Sequence, residues 1–358
     1  MWQLIPSALR FDFIGKAKPF IALSLVVILI GIGSIAYHGG LNLGIDFRGG
    51  TLVQLRLSQP VDLSTVREVL ESLGFGRGMV QHFGDAHEVL IRFSQLETNL
   101  DIGTEVHQAF QTRFPEQTIE LRRADVVGPQ VSSDLRRQAL FAMFYAILGI
   151  LIYLSGRFEA KWFIAFALAV VLFAMTYGIS HFWPAVSPVV LLVVALVGAL
   201  AFCLILQLRY ALAALVALFH DVLITVGFLS LFNKEFDLSI VAALLTIIGY
   251  SLNDTIVIFD RVRENMQGQR HTDFAAVVNA SVNQTLSRTI LTTATTLMVV
   301  AMLFCFGGQV IHDFAFALLV GLVAGVYSTV FIASPILLYW EQYTRRSESG
   351  AGRVISAY

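Results

Sequence analysis

Eight stretches of apolar residues, each close to twenty long, restrict what this 358-residue chain can fold into. They lie at about 19–37, 137–154, 161–182, 187–207, 210–232, 237–259, 286–307 and 312–338. A helix rises only ~1.5 Å per residue, so roughly 20 apolar residues are needed to cross ~30 Å of hydrocarbon. In a chain 56% hydrophobic and 14% charged, such runs point away from a soluble protein and toward about eight transmembrane helices. A net charge of −1 supplies no global basic field for nucleic acid. Cys203 and Cys305 both fall within apolar runs, so they read as small buried hydrophobes and no disulfide framework is expected. The first run is followed by "HGGLNLGID" rather than a small-residue cleavage site, which predicts an uncleaved first span.

Orientation follows from where the basic residues sit. Arg10, Lys16 and Lys18 precede the first run, Arg157 and Lys161 separate the second from the third, and Arg209 separates the fourth from the fifth. Arg261, Arg263 and Arg270 follow the sixth run, and Arg345, Arg346 and Arg353 follow the eighth. The alternate connections "HFWPAVSP", "NKEFD" and "FGGQVIHD" carry only Lys234. All basic connections then share one side, which places both termini in the cytoplasm.

Residues 39–130 break the pattern, being polar with soluble-domain periodicity. "TLVQLRL" alternates as a strand, and "VDLSTVREVLESLGF" is a helix opened by Asp62 or Ser64 and closed by Gly74. "GMVQHF" and "HEVLIRF" form a hairpin around "GDA"; "NLDIGTEVHQAFQTRF" is a second helix and "QTIELRRADVV" a last strand. The order β-α-β-β-α-β predicts one extracytoplasmic α+β domain of ferredoxin-like type. It divides the chain into 1–38 (N-terminal segment and first span), 39–130, a transmembrane bundle over 131–340, and a cytoplasmic tail over 341–358.

Ionisable groups inside spans are costly and mark functional candidates. Asp254, with Asn253 beside it, lies in the sixth run of "LSIVAALLTIIGYSLNDTIVIFDRVREN". Thr246, Tyr250, Asn253, Asp254, Val257 and Arg261 share roughly one helical face, expected to point into the bundle. The seventh span starts near Asn283, which sets Arg288 about one turn inside, at the depth of Asp254. An acid and a base at matching depth can hold and release a proton, or form a static ion pair that fixes packing. His220 and Asp221, mid-way along the fifth run, make a second intramembrane polar site that can share a proton or simply hydrogen-bond between helices. His312–Asp313, at the outer end of the last run, reads as a capping pair, and Asp260 as a solvated helix-end charge. Gly321 and Gly325 permit close helix packing. "GIDFRGG" brings Gly44 and Asp46 to a structural motif in which Gly49 and Gly50 turn the chain into its first strand. No phosphate-binding loop, metal-spaced Cys/His cluster or G-x-S-x-G elbow occurs, so neither nucleotide hydrolysis nor covalent catalysis is indicated.

The segment "GYSLNDTIVIFDRVREN" resembles the SecF family of protein-export membrane subunits, as do "NLGIDFRGGTLVQL", "ALFHDVLITVGFLSLF", "NQTLSRTILTTATTL" and "DFAFALLVGLVAGVYSTVFIASPILL". Together they cover most of the chain from Asn42 to Leu338. The resemblance implies a six-helix bundle of the resistance–nodulation–division (RND) class in the bacterial inner membrane, with one ferredoxin-like domain. It implies a heterodimer with SecD beside the SecYEG translocon, surrounded by membrane lipids. It further implies use of the proton-motive force to draw preproteins onward after the SecA ATPase has pushed them in. Protons are then the coupling ion, with no other cofactor and no metal. The Asp of "NDT" and the Arg of "SRT" are implied proton-relay residues, here Asp254 and Arg288, with Asn253 adjacent. One departure is an added apolar stretch, about 165–205, long enough for an inserted helical hairpin that leaves later spans in their original orientation. A small-molecule or lipid exporter on the same scaffold, and a purely structural translocon partner, are the alternatives. Exporters usually carry a duplicated twelve-helix chain with two large outer domains, which argues against the first.

Overall fold

The computed structural model describes residues 11–75, 78–93, 102–182, 188–268 and 273–355. In chain order the elements are α1 (Ala17–Tyr37), α2 (Ile45–Arg48), β1 (Gly50–Leu57), α3 (Leu63–Ser72), β2 (Met79–Phe83), β3 (Asp85–Phe93), α4 (Ile102–Arg113) and β4 (Ile119–Val127). There follow α5 (Pro129–Glu159), α6 (Trp162–Phe182), α7 (Pro188–Ile205), α8 (Arg209–Leu231), α9 (Leu238–Gly268), α10 (Phe274–Phe306), α11 (Gln309–Ser328), a π-helical turn (Thr329–Ala333) and α12 (Ser334–Ile355). Among the described residues, seven stretches are long and apolar enough to cross a membrane: α1, α5, α6, α8, α9, α10 and the run Ile311–Thr344 through α11 and α12. The remaining apolar helix, α7, pairs with α6. The chain is a multi-pass membrane protein with a sheet domain between its first two spans.

The sheet is antiparallel in the order β2-β3-β1-β4, the ferredoxin-like arrangement. Its helices pack on one face, where Val66, Val69 and Leu70 of α3 and Val106 and Phe110 of α4 meet Val53, Leu55, Val89 and Ile91. Asp62 caps α3 by accepting from the Ser64 backbone N–H at 2.9 Å, as the sequence implies. Alternation does not survive in the central strand: β1 is buried at every position but Arg56. Its second face is covered too, Leu52 and Leu90 lying against Ile45 of α2.

The sheet domain is seated on the segment joining α8 to α9. Gly44 N donates to Phe236 O at 2.9 Å, Phe236 N to Asn42 O at 2.7 Å, and Leu238 N to the Asp46 carboxylate at 3.1 Å. A side chain at Gly44 would collide with Glu235, its Cβ falling 2.8 Å from Oε1. Gly49 and Gly50 have φ of +74° and +120°, which L side chains rarely adopt, so the turn into β1 requires glycine. Arg92 of β3 pairs with Glu235. Lys234 donates to Asp313 at 2.8 Å, and the other Asp313 oxygen accepts from Glu235 N. Asp313 thus ties down this connecting segment rather than capping its own helix.

In the bundle, α1 crosses α8 where Gly31 and Gly227 face one another, a Cβ on Gly31 falling 2.8 Å from the Gly227 Cα. Ser34 and Ser230 hydrogen-bond beside them at 3.0 Å. Gly321 and Gly325 of α11 lie against Ile247 and Ser251 of α9. The α6–α7 hairpin packs onto the bundle: Ala169, Leu172, Ala199 and Cys203 join the core formed by Leu148, Leu151 and Ala214, and Lys161 donates to Leu206 O at 2.8 Å. Cys305, in contrast to Cys203, is exposed. Both α9 and α10 extend past their apolar runs. α10 begins at Phe274 rather than near Asn283, because Asp273 caps it through Ala275 N and polar turns continue the helix beyond the hydrophobic stretch.

Candidate functional site

Two buried polar sites lie within the bundle. The first is Asp254, on α9, whose residue is only 3% exposed. Its neighbours along the helix, Leu252, Thr255 and Ile258, are buried as well, so the carboxylate sits on the packed face. Thr293 of α10 donates to its Oδ2 at 3.5 Å. Above and below, Tyr250 contacts Thr296 at 3.2 Å, and Asn265 donates to Ser281 and Gln284 at 2.8 and 3.1 Å. The α9–α10 seam is therefore polar along several turns.

Arg288 does not close on Asp254. It makes no ion pair among the described residues, and it acts on the carboxylate only through space. The physical reasons are depth and helical phase: Thr293 rather than Arg288 is level with Asp254, and Thr289 and Thr293 are buried whereas Arg288 lies on an exposed flank with Gln284, Thr292 and Thr295. The stripe on α9 divides likewise. Asp254 is buried, while Thr246, Asn253 and Arg261 are exposed rather than turned into the bundle. Asn253 takes no part in the Asp254 contact. Asp260 pairs with Arg157 at 2.8 Å, joining the ends of α9 and α5.

The second site centres on His220 and Asp221 of α8, 6% and 1% exposed. His220 Nδ1 lies 3.0 Å from Asp221 Oδ1. Ser251 of α9 and Ser328 of α11 donate to Asp221 Oδ2 at 2.6 and 2.9 Å. On the far side of the imidazole, Nε2 lies 3.0 Å from Ser24 Oγ of α1, and the ring stacks on Tyr327 with centroids 5.8 Å apart. Four helices thus converge on one dyad. Ser24, Ser251, Tyr327 and Ser328 are polar residues in apolar runs that sequence reasoning passed over; their occurrence as lone hydroxyls within spans was the available signal.

Hydroxyls lie between the two sites. Thr255, next to Asp254, donates to Ser251 O at 3.2 Å and contacts Thr329 at 3.1 Å. Thr329 opens the π-helical turn, which follows Ser328 directly. Such turns replace a regular helical ladder and recur at functional positions. Among the described residues no group of three His, Cys, Asp or Glu side chains could hold a metal ion. What the arrangement offers is proton binding: a carboxylate and a His–Asp pair, both shielded from water.

Fold and site together define a polytopic helical membrane protein with buried ionisable groups and a ferredoxin-like domain. The chain matches the family described as protein export membrane protein SecD/SecF, C-terminal, over residues 106–182 and 185–343, and the SecD/SecF GG motif over 38–61. The protein translocase subunit SecF of Magnetococcus marinus is 41% identical over 348 residues, covering 96% of each chain. That of Pseudomonas aeruginosa is 37% identical over 328 residues, covering 92% of this chain and 90% of its own. The crystal structure of SecDF, a translocon-associated membrane protein from Thermus thermophilus, superposes with a TM-score of 0.69 at 31% identity. That alignment covers 96% of this chain and 40% of SecDF, so the chain spans less than half of that longer protein. The chain belongs to the SecD/SecF family of protein-export membrane proteins.

Proposed function

We propose that this chain is the SecF-type subunit of a bacterial Sec protein translocase and that Asp254 passes protons that drive preprotein movement. It is a transport component, not a hydrolytic enzyme. The observation that carries the reading is a carboxylate held at 3% exposure inside a span, with a hydroxyl as its hydrogen-bond partner and no cation in contact among the described residues. Such a group is poised to exchange a proton, because neither of its charge states is locked by a fixed ion pair. Arg288 then serves as a movable counter-charge: a shift of α10 that brings it to the carboxylate favours proton release, and a shift away favours uptake. A membrane potential contributes ~2.3 kcal/mol per 100 mV for each charge that crosses.

An exposed Arg288, flanked by Gln284, Thr292 and Thr295, is costly to hold against lipid. A SecD partner fits this stripe, covering it with polar groups and water, and the named SecDF relative supports that pairing. SecYEG and the preprotein would be met outside this pair. The distribution of Lys and Arg supports an inner-membrane orientation with both termini cytoplasmic and the sheet domain outside.

The test is Asp254→Asn in cells and in vesicles carrying the assembled translocase. Export should lose its dependence on the proton-motive force while the complex still assembles and ATP-driven insertion continues. Export that stays proton-responsive in this variant would falsify the relay assignment and leave a structural translocon partner.

A further inference from the structure

The His220–Asp221 cluster admits a count of its protons, because both ends of its hydrogen-bond chain are acceptors. At one end the Phe20 carbonyl accepts from Tyr327 Oη at 2.5 Å. A phenol has a single proton, so that of Tyr327 is committed there. Ser24 Oγ, 3.1 Å from the same oxygen, must therefore be the donor to Tyr327. Its only proton is then used as well, and Ser24 can meet His220 Nε2 at 3.0 Å only as an acceptor. The imidazole must carry a proton on Nε2. At the other end, Nδ1 and Asp221 Oδ1 stand 3.0 Å apart and need one more proton between them.

Tyr327 and Ser24 supply the two outer links, so the two inner ones fall to the dyad. We infer that His220–Asp221 is a second proton-binding site, distinct from Asp254, and that the structure holds it loaded. The pair is imidazolium on carboxylate or imidazole on carboxylic acid; the proton inventory is the same. Ser251 donates its proton to Asp221 Oδ2, and Ser328, 2.9 Å from that oxygen and 3.1 Å from the Gly325 carbonyl, directs its single proton to the nearer and charged acceptor, so the count is unchanged. The ionisable groups facing the pair from the packed helices are few. Tyr327 comes from α11, and Asp254 lies one turn beyond Ser251 on α9. α1 has no ionisable side chain from Pro19 to Ala36.

Loss of the extra proton breaks the chain at one link. A neutral His220 facing an ionised Asp221 keeps its proton on Nδ1, so Ser24 must turn to donate to Nε2. The Ser24–Tyr327 link then lacks a proton unless Tyr327 abandons Phe20. Since Ser24 and Phe20 belong to α1 and Tyr327 to α11, proton release loosens α1 from the bundle. The other Asp221 oxygen, Oδ2, accepts from Ser251 and Ser328, which border Thr255 and the π-helical turn, so the event is transmitted toward Asp254 as well.

The experiment is nitrogen NMR of the full chain, labelled with 15N-histidine and reconstituted in lipid nanodiscs, with the His220 signals assigned by His220→Asn. Infrared difference spectra against Asp221→Asn report protonated carboxyl on the same samples. At neutral pH the pair should carry two protons: either both ring nitrogens protonated, or Nε2–H together with a carboxylic acid band. A single proton on the pair, whichever atom carries it, overturns the inference. Tyr327→Phe removes the outer acceptor link and frees Ser24 to donate, so the pair should lose its second proton at a pH about one unit lower, roughly tenfold weaker proton binding. An unchanged titration in that variant also overturns it. If Tyr327→Phe does not fold, the wild-type spectra decide alone. The proton inventory is read directly, so it does not depend on whether export requires Asp254.

Discussion

Replacing Arg92 with leucine removes the counter-ion of Glu235 while leaving the carboxylate buried where the sheet domain meets the bundle. In the native chain the two side chains retain 12% and 24% of their exposure. Solvent-exposed pairs contribute up to ~1 kcal/mol, whereas breaking a fully buried pair costs ~3–5 kcal/mol. Partial burial places Arg92→Leu near ~2 kcal/mol, a factor of roughly thirty in the folding equilibrium. Burial already pushes the Glu235 carboxyl above the ordinary glutamate range, against the pull of Arg92 and with Asp237 and Asp313 adding repulsion. Without Arg92 it climbs further. A carboxyl whose folded pKa exceeds its unfolded one costs stability above that folded value, and the cost fades as pH falls toward the unfolded value near ~4.3. Thermal unfolding in nanodiscs should therefore show a deficit at neutral pH that narrows on acidification. The double variant Arg92→Leu/Glu235→Leu should recover most of it at every pH, because no unpaired charge remains. A deficit of equal size at neutral and acidic pH, with nothing recovered in the double variant, would refute this reasoning.

Gly321→Leu should destabilise the bundle by about 1–3 kcal/mol, because even its Cβ would lie 2.2 Å from Ile247 Cδ1 and α9 must move to admit the rest; thermal unfolding beside Gly321→Ala measures the graded cost. Asp62→Ala should speed amide exchange in the first turn of α3. The hydrogen bond from Ser64 N holds the Asp62 carboxyl below its ordinary value of 3.8, so the native cap is fully present above that value and lost as pH falls through the lower folded one. Exchange in native and variant chains should converge there.

The spans and the order of the sheet domain were legible because they rest on periodicity and length, which neighbouring elements do not alter. The α6–α7 helix pair was legible for the same reason. What escaped was decided by tertiary contact. Arg288 lies five residues along α10 from Thr293, the residue level with Asp254, and its helical phase sends it outward while Thr289 and Thr293 turn inward. Asp46 reads as part of a glycine-rich turn, yet it binds Leu238 N, 192 positions away. Arg92 lies in the strand "HEVLIRF", where no local pattern signals a partner, and Glu235 receives it. The hydroxyls of Ser24, Ser251, Tyr327 and Ser328 have no shared motif; only the packing of α1, α8, α9 and α11 assembles them around one dyad.

The π-helical turn at Thr329–Ala333 makes the last span sensitive to its own residue count. There Ser334 N donates to Thr329 O, five residues back instead of four. Each residue of an α-helix advances the chain by ~100° about the axis, so straightening the turn into a regular ladder with every residue kept would swing everything beyond by about that angle. Leu337 and Leu338, now 0% and 4% exposed, would leave the core, and Glu341 would lose Arg209. A single-residue insertion between Ser328 and Ser334 should therefore be tolerated less well than a single-residue deletion, which the turn absorbs by closing to the regular ladder, and the stretch acts as a spacer that keeps the two halves of the helix in phase with different neighbours.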